Sequence, residues 1–102
     1  MHVEGFDWDE GNRIKCEEHG VSTVTIESLF AGEIAVLPDP LHSKFEERFK
    51  AIGKTDKGRE IFVVFTLRRR RGRTLIRPIS ARYMRSKEME HYEKETATLA
   101  ER

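Results

Sequence analysis

Nine cationic side chains, Arg68, Arg69, Arg70, Arg71, Arg73, Arg77, Arg82, Arg85 and Lys87, fall between positions 61 and 87 with no acid among them. The whole chain carries a formal charge of +1, so removing these nine leaves −8 for everything else. A localised positive field concentrates polyanions, and contacts to phosphates are where such fields most often act. Arg68 and Arg82 can hold a phosphate through planar, bidentate forks. Upstream, Glu46 is the candidate base, with Arg48 two residues on to set its charge state. His42 is the candidate acid, because an ordinary imidazole pKa of about 6.5 permits both forms near neutrality. Phe62 offers a surface on which an unpaired base stacks. Each residue also has a plainer role. Arg69, Arg70 and Arg71 read equally as a water-loving turn. Glu46 with Arg48 or a cross-strand arginine reads as a surface ion pair worth under about 1 kcal/mol. His42-Ser43 reads as the cap of a proline-rich turn, and His19 before Gly20 as a helix C-terminal residue favoured by the dipole.

These residues need a scaffold, and the chain predicts an α+β one. At 102 residues it is expected to be a single domain over 1–102, large enough for a real core. Charged residues make up 36% and apolar residues 37%, but the apolar ones cluster in short patterned runs, which argues against wholesale disorder. Asp7 or Asp9 is expected to cap a first helix that Gly20 stops; Trp8, Ile14 and Cys16 make a thin apolar face for it. Ser22 caps a second short helix, with Val21 and Ile26 at hydrophobic-staple spacing, and Gly32 ends it. Strands are expected over 33–37, 45–52, 59–68 and 74–82, and a C-terminal helix over about 86–99. The result is one antiparallel-rich sheet packed against two short N-terminal helices and a C-terminal helix. Alternation puts Phe45, Glu47, Phe49 and Ala51 on the core side with Ile61, Val63, Phe65 and Leu67. The other face then collects Glu46, Arg48, Lys50, Phe62, Val64, Thr66, Arg68, Ser80 and Arg82. Pro78 cannot donate to a ladder, so the last strand is expected to be an edge or bulged there; a straight register would drive Arg77 into the core.

Several classes are disfavoured. One cysteine, Cys16, rules out an internal disulfide and suits a reducing cytoplasm. The apolar run 61–67 is too short for a bilayer span, and no signal or lipidation pattern is expected, so the expectation is a cytoplasmic protein with no membrane partner. His2, His19, His42 and His91 are scattered with no carboxylates at ligand spacing, and no phosphate-binding glycine loop or nucleophile elbow appears, so no metal and no cofactor are expected.

The succession Asn12, Lys15, His19-Gly20-Val21, Asp39, His42-Ser43, Glu46, Arg48-Phe49, Ile52-Gly53, Gly58-Arg59, Val63-Val64, Thr66, Arg68 and Ile79-Ser80-Ala81-Arg82 resembles the BrnT family of toxins. These are the ribonuclease halves of type II toxin–antitoxin pairs, similar in fold to the RelE toxins. The resemblance covers residues 8–92; Glu18, where the family usually has lysine, and Pro78, where it has a β-branched residue, depart from the pattern. It implies a metal-independent endoribonuclease that suppresses translation. It also implies a BrnA-like antitoxin with a ribbon-helix-helix part that carries the toxin to operator DNA. For an RNA substrate the predicted face supplies Glu46, Arg68, Arg82 and His42 as catalytic candidates, and Arg48, Lys50, Phe62, Arg69, Arg70 and Arg71 as RNA contacts. The competing class is a catalytically inactive binding module or co-repressor acting through its antitoxin.

Overall fold

Asp9 begins the first helix for a local reason: its carboxylate accepts from the Asn12 N–H at 3.0 Å while Asn12 Oδ1 accepts from the Asp9 N–H at 2.7 Å, a reciprocal capping box. The computed structural model describes residues 3–85, 87, 88, 90 and 91. In it, α1 spans Glu10–Glu17 and α2 spans Thr23–Ala31, the latter capped by Ser22 and closed at Gly32. Both Val21 and Ile26 are fully buried, as the staple requires. Four strands follow, β1 (Ile34–Pro38), β2 (Phe49–Lys54), β3 (Glu60–Arg70) and β4 (Arg73–Tyr83), antiparallel in the order β1-β2-β3-β4. The expected helix over 86–99 lies mostly outside the described residues; of those described, Lys87, Glu88, Glu90 and His91 have helical backbone.

The core lies between the helices and one face of the sheet. Cys16, Val21, Ile26 and Leu29 pack against Ala51, Ile61, Val63, Phe65, Ile76 and Ala81. Phe6, Phe30, Phe65 and Phe49 form a chain of ring contacts with centroids 5.1–5.7 Å apart, which ties the N-terminal segment, α2 and two strands together. Gly53 is where α2 touches the sheet: a Cβ there would stand 2.8 Å from Leu29 Cδ1. Burial pushes the Cys16 thiol up to about 11, which leaves it unreactive at neutral pH.

Alternation set the faces correctly through most of the sheet. Ala51 pairs with Val63 and Phe49 with Phe65 on the core side, while Lys50 pairs with Val64 and Phe62 with Arg82 on the other. Two expectations are corrected. The strand expected over 45–52 starts only at Phe49, because 43–48 is bent instead of extended; Phe45 is 92% exposed. Ser43 organises that bend, its Oγ donating to Asp39 O and accepting from Arg48 N, while the Asp39 N–H closes the loop onto Arg48 O. The second correction concerns Arg77. The register slips between Val64 and Phe65, so Val64 faces Ser80 but Phe65 faces Pro78. This bulge leaves Ile79 as the extra residue and reverses the parity of everything before it. Ile76 and Pro78 thereby turn into the core and Arg77 turns out of it.

The N-terminal segment covers the outer edge of β4. Phe6 bridges Ile76 in parallel, with Glu4 N–H donating to Thr74 O, Ile76 N–H to Gly5 O, and Asp7 N–H to Ile76 O. Arg71 and Gly72 form the two-residue turn between β3 and β4, with φ of +53° and +77°. Both central residues are therefore left-handed, the type I′ pattern that Asn-Gly suits best. Arginine has no such preference, so Arg71→Asn is expected to raise stability by about 0.5–1 kcal/mol, seen as a higher urea midpoint at an unchanged slope.

Candidate functional site

The face away from the helices carries two stations. At one, β3 presents Arg68 and the 43–48 bend presents Glu46 and Arg48. Glu46 Oε2 is paired with Arg68 Nη1, and Glu46 Oε1 lies 3.4 Å from Arg48 Nη2. The bend is fastened to the sheet by Thr66, whose hydroxyl donates to Glu47 O at 2.7 Å and which is buried beneath that segment. The Arg68 hydrogen bond holds the Glu46 carboxyl below the usual carboxylate range. A carboxyl held low in this way accepts a proton less readily than a free one.

The second station sits where β2, β3 and β4 run side by side. Arg82 lies over the Phe62 ring at 4.4 Å, and Lys50 approaches the same ring at 5.9 Å. Leu37, Lys50, Ile52, Phe62, Arg82 and Met84, together with Lys87, Glu88 and His91, line a groove of about 370 Å³. Glu88 occupies the Arg82 fork: Nη1 donates to Oε1 at 2.7 Å and Nη2 to Oε2 at 2.6 Å, while the Arg85 N–H donates to Oε1 at 3.0 Å. Arg82, helped by that backbone N–H, pulls the Glu88 carboxyl down to about 2. Since this lies below the ordinary 4.5, the pair is fully formed above that value and fades as pH falls toward 2.

Arg68 and Arg82 share a face but do not converge. Arg82 pairs with Phe62, six residues before Arg68 on β3, and at about 3.3 Å per residue the two levels are about 20 Å apart. The expected single phosphate site is thus two sites along one path. His42 ends a 3-10 turn, Pro40–His42, at the root of the bend, and its side chain lies outside what the structure describes. In the arginine run, Arg69 donates to Thr74 Oγ1 and Arg70 pairs with Asp7 at 3.2 Å; Arg71 sits in the turn.

The charge asymmetry read along the chain is much reduced in space. Asp7 meets Arg70 and Arg77, Asp9 meets Arg77 at 2.8 Å, Glu46 meets Arg68, and Glu88 meets Arg82. Asp9 titrates low, chiefly through the Asn12 N–H and then through Arg77. Linear sequence conceals this compensation because all four acids lie outside the basic run. Glu88 and His91 are the site residues that sequence reasoning passed over; the signal was Glu88 three residues after Arg85, the spacing for reaching back to a helix-start N–H.

Among the described residues no group of acids, histidines and cysteines is placed to hold a metal ion, and no helix is long and apolar enough to cross a membrane. No curated protein matches the chain. A family model described as the ribonuclease toxin BrnT of type II toxin–antitoxin systems matches residues 8–88. That span includes α1, α2, all four strands and both stations, and the chain belongs to the BrnT family of ribonuclease toxins of type II toxin–antitoxin systems.

Proposed function

We propose that the chain, folded as one domain over 1–102 and similar in fold to the RelE toxins, is a metal-independent endoribonuclease of the cytoplasm that suppresses translation. The observation that carries this reading is Glu46 held between two guanidiniums on the same sheet face as a groove lined by an aromatic ring and two further cations. A single RNA strand runs along the face. Arg68 holds the scissile phosphate, and Arg82, with Lys50 and the Phe62 ring, holds a nucleotide further along the same strand; Arg69, Arg70 and Arg71 attract the flanking backbone. When the phosphate engages Arg68, the Glu46 carboxylate is released to take the 2′-hydroxyl proton. The 2′-oxygen attacks phosphorus, the 5′-oxygen leaves with a proton from His42, and the products are a 2′,3′-cyclic phosphate and a 5′-hydroxyl. Arg48 and Arg68 stabilise the charge on the pentacoordinate phosphate.

Type II toxins are paired with an antitoxin. Here the partner is a BrnA-like protein with a ribbon-helix-helix part, which covers the cations with acids and brings the toxin to operator DNA. The test is cleavage of single-stranded RNA by the purified chain in excess EDTA. Cyclic-phosphate ends are expected, and Glu46→Gln is expected to lower the rate by roughly 100-fold or more with RNA still bound. A metal requirement, 5′-phosphate ends, or a Glu46→Gln enzyme of undiminished rate would each refute the mechanism.

A further inference from the structure

The groove at Arg82 is not empty of charge, and that has a consequence for how the protein engages RNA. Three features of the Glu88 contact set it apart from an incidental surface pair. It is bidentate, with both guanidinium Nη atoms used and both carboxylate oxygens accepting. It is anchored a third time, through the Arg85 N–H, which fixes the carboxylate relative to the start of the C-terminal helix. It also lines the same groove as Phe62, whose ring Arg82 covers, so a phosphate cannot take the Arg82 fork there while Glu88 remains. A carboxylate on a guanidinium fork presents two oxygens in the geometry a phosphate would present. Yet the pair is only partly shielded, with the Arg82 and Glu88 side chains 32% and 36% exposed, so a competing anion has access and the contact is reversible.

We infer that Glu88 is a built-in competitor for the RNA phosphate: the start of the C-terminal helix closes the Arg82 subsite in the free protein, and an incoming strand must displace it. This rests on the reading of Arg82 as a phosphate-binding residue and adds its regulation. Its consequence is selective: the latch discriminates against weak or isolated anions, which compete with Glu88 on Arg82 alone. An RNA strand that also stacks on Phe62 and reaches Arg68 has contacts enough to open it.

The experiment uses the full chain and a short 2′-O-methyl RNA oligonucleotide of mixed sequence, which binds but lacks the attacking hydroxyl. Glu88→Gln keeps the side-chain length while removing the competing charge, and is expected to tighten binding roughly threefold to fivefold, the upper part of the range an exposed pair is worth. Glu90→Gln makes the same change in net charge on a neighbouring exposed helical residue and is expected to tighten binding less than twofold. In the wild-type chain, saturating oligonucleotide is expected to speed hydrogen exchange at the Arg85 amide, which loses its acceptor when Glu88 leaves. Equal effects of Glu88→Gln and Glu90→Gln, or an Arg85 amide no faster in the complex, would overturn the latch. Arg82→Ala separates the two levels of the argument. If it weakens binding while Glu88→Gln does not strengthen it, the subsite stands and the latch falls; if Arg82→Ala leaves binding unchanged, both fall.

Discussion

Arg68→Ala is expected to lower the rate constant of RNA cleavage about 100- to 1,000-fold while KM changes little, and Arg82→Ala to raise KM about tenfold with a smaller effect on kcat. The contrast follows from position. Arg68 is paired with Glu46, the proposed base, so on that reading its contribution is felt mainly as charge builds on phosphorus, and a lost electrostatic donor of that kind typically costs about two to three orders of magnitude. Arg82 lies about 20 Å along the strand direction, stacked on Phe62, where it contributes equally to bound substrate and transition state. Single-turnover cleavage against oligonucleotide concentration gives both constants. Equal losses of kcat in the two variants would mean that the arginines serve one phosphate after all, through a rearrangement that brings the two levels together.

The parts of the fold legible in the chain were those governed by local rules. The caps at Asp9 and Ser22, the stop at Gly20, the end of α2 at Gly32 and the alternation along β2 and β3 all depend on neighbours within a few residues, and all are present. Pro78 announced an irregularity, but not its sense. Only the packing of Ile76 and Pro78 into the core shows that the bulge reverses Arg77. The bend at 43–48 was misread because Phe45, Glu47 and Phe49 alternate as a strand does. What decides against a strand is the Ser43 hydroxyl and the Thr66 hydroxyl, each fastening backbone that periodicity cannot see.

The site was legible as a set of residues and illegible as a geometry. Alternation placed Lys50, Phe62, Arg68 and Arg82 on one face, and they are there. Distance along a strand is also readable from sequence once the pairing is known. The β4 register was soft beyond Pro78, however, and without it the levels of Arg68 and Arg82 could not be compared. The acids that temper the field come from the N-terminal segment, the bend and Glu88 after β4, and only tertiary folding brings them to the arginines. The net positive field is thus weaker in the folded protein than the arginine run suggests.

Those orientations depend on one buried amide. Asn12 is 6% exposed and uses nearly all its hydrogen-bonding capacity: Oδ1 accepts from the Asp9 N–H, Nδ2 donates to Asp7 O and to Pro78 O, each at 2.9 Å, and its own N–H donates to Asp9. It joins the start of α1, the N-terminal segment and the bulge of β4 at a single point, the bulge being what turns Arg77 outward toward Asp7 and Asp9. Asn12→Ala leaves two carbonyls and one N–H without their partner. At about 1–3 kcal/mol for each group that stays buried, the expected loss is about 3–5 kcal/mol. For a domain of this size each kcal/mol moves the melting midpoint by roughly 4–8 °C, so thermal unfolding reads the effect directly. Asp9→Ala removes the cap but spares both Nδ2 bonds, and is expected to cost only about 1 kcal/mol. Asn12→Asp keeps an acceptor for the Asp9 N–H but sets a carboxylate against two carbonyls, and is expected to be at least as damaging as alanine. An Asn12→Ala chain that melts within a few degrees of wild type would show that α1 is held to β4 by its apolar contacts, with the amide network incidental to the bulge.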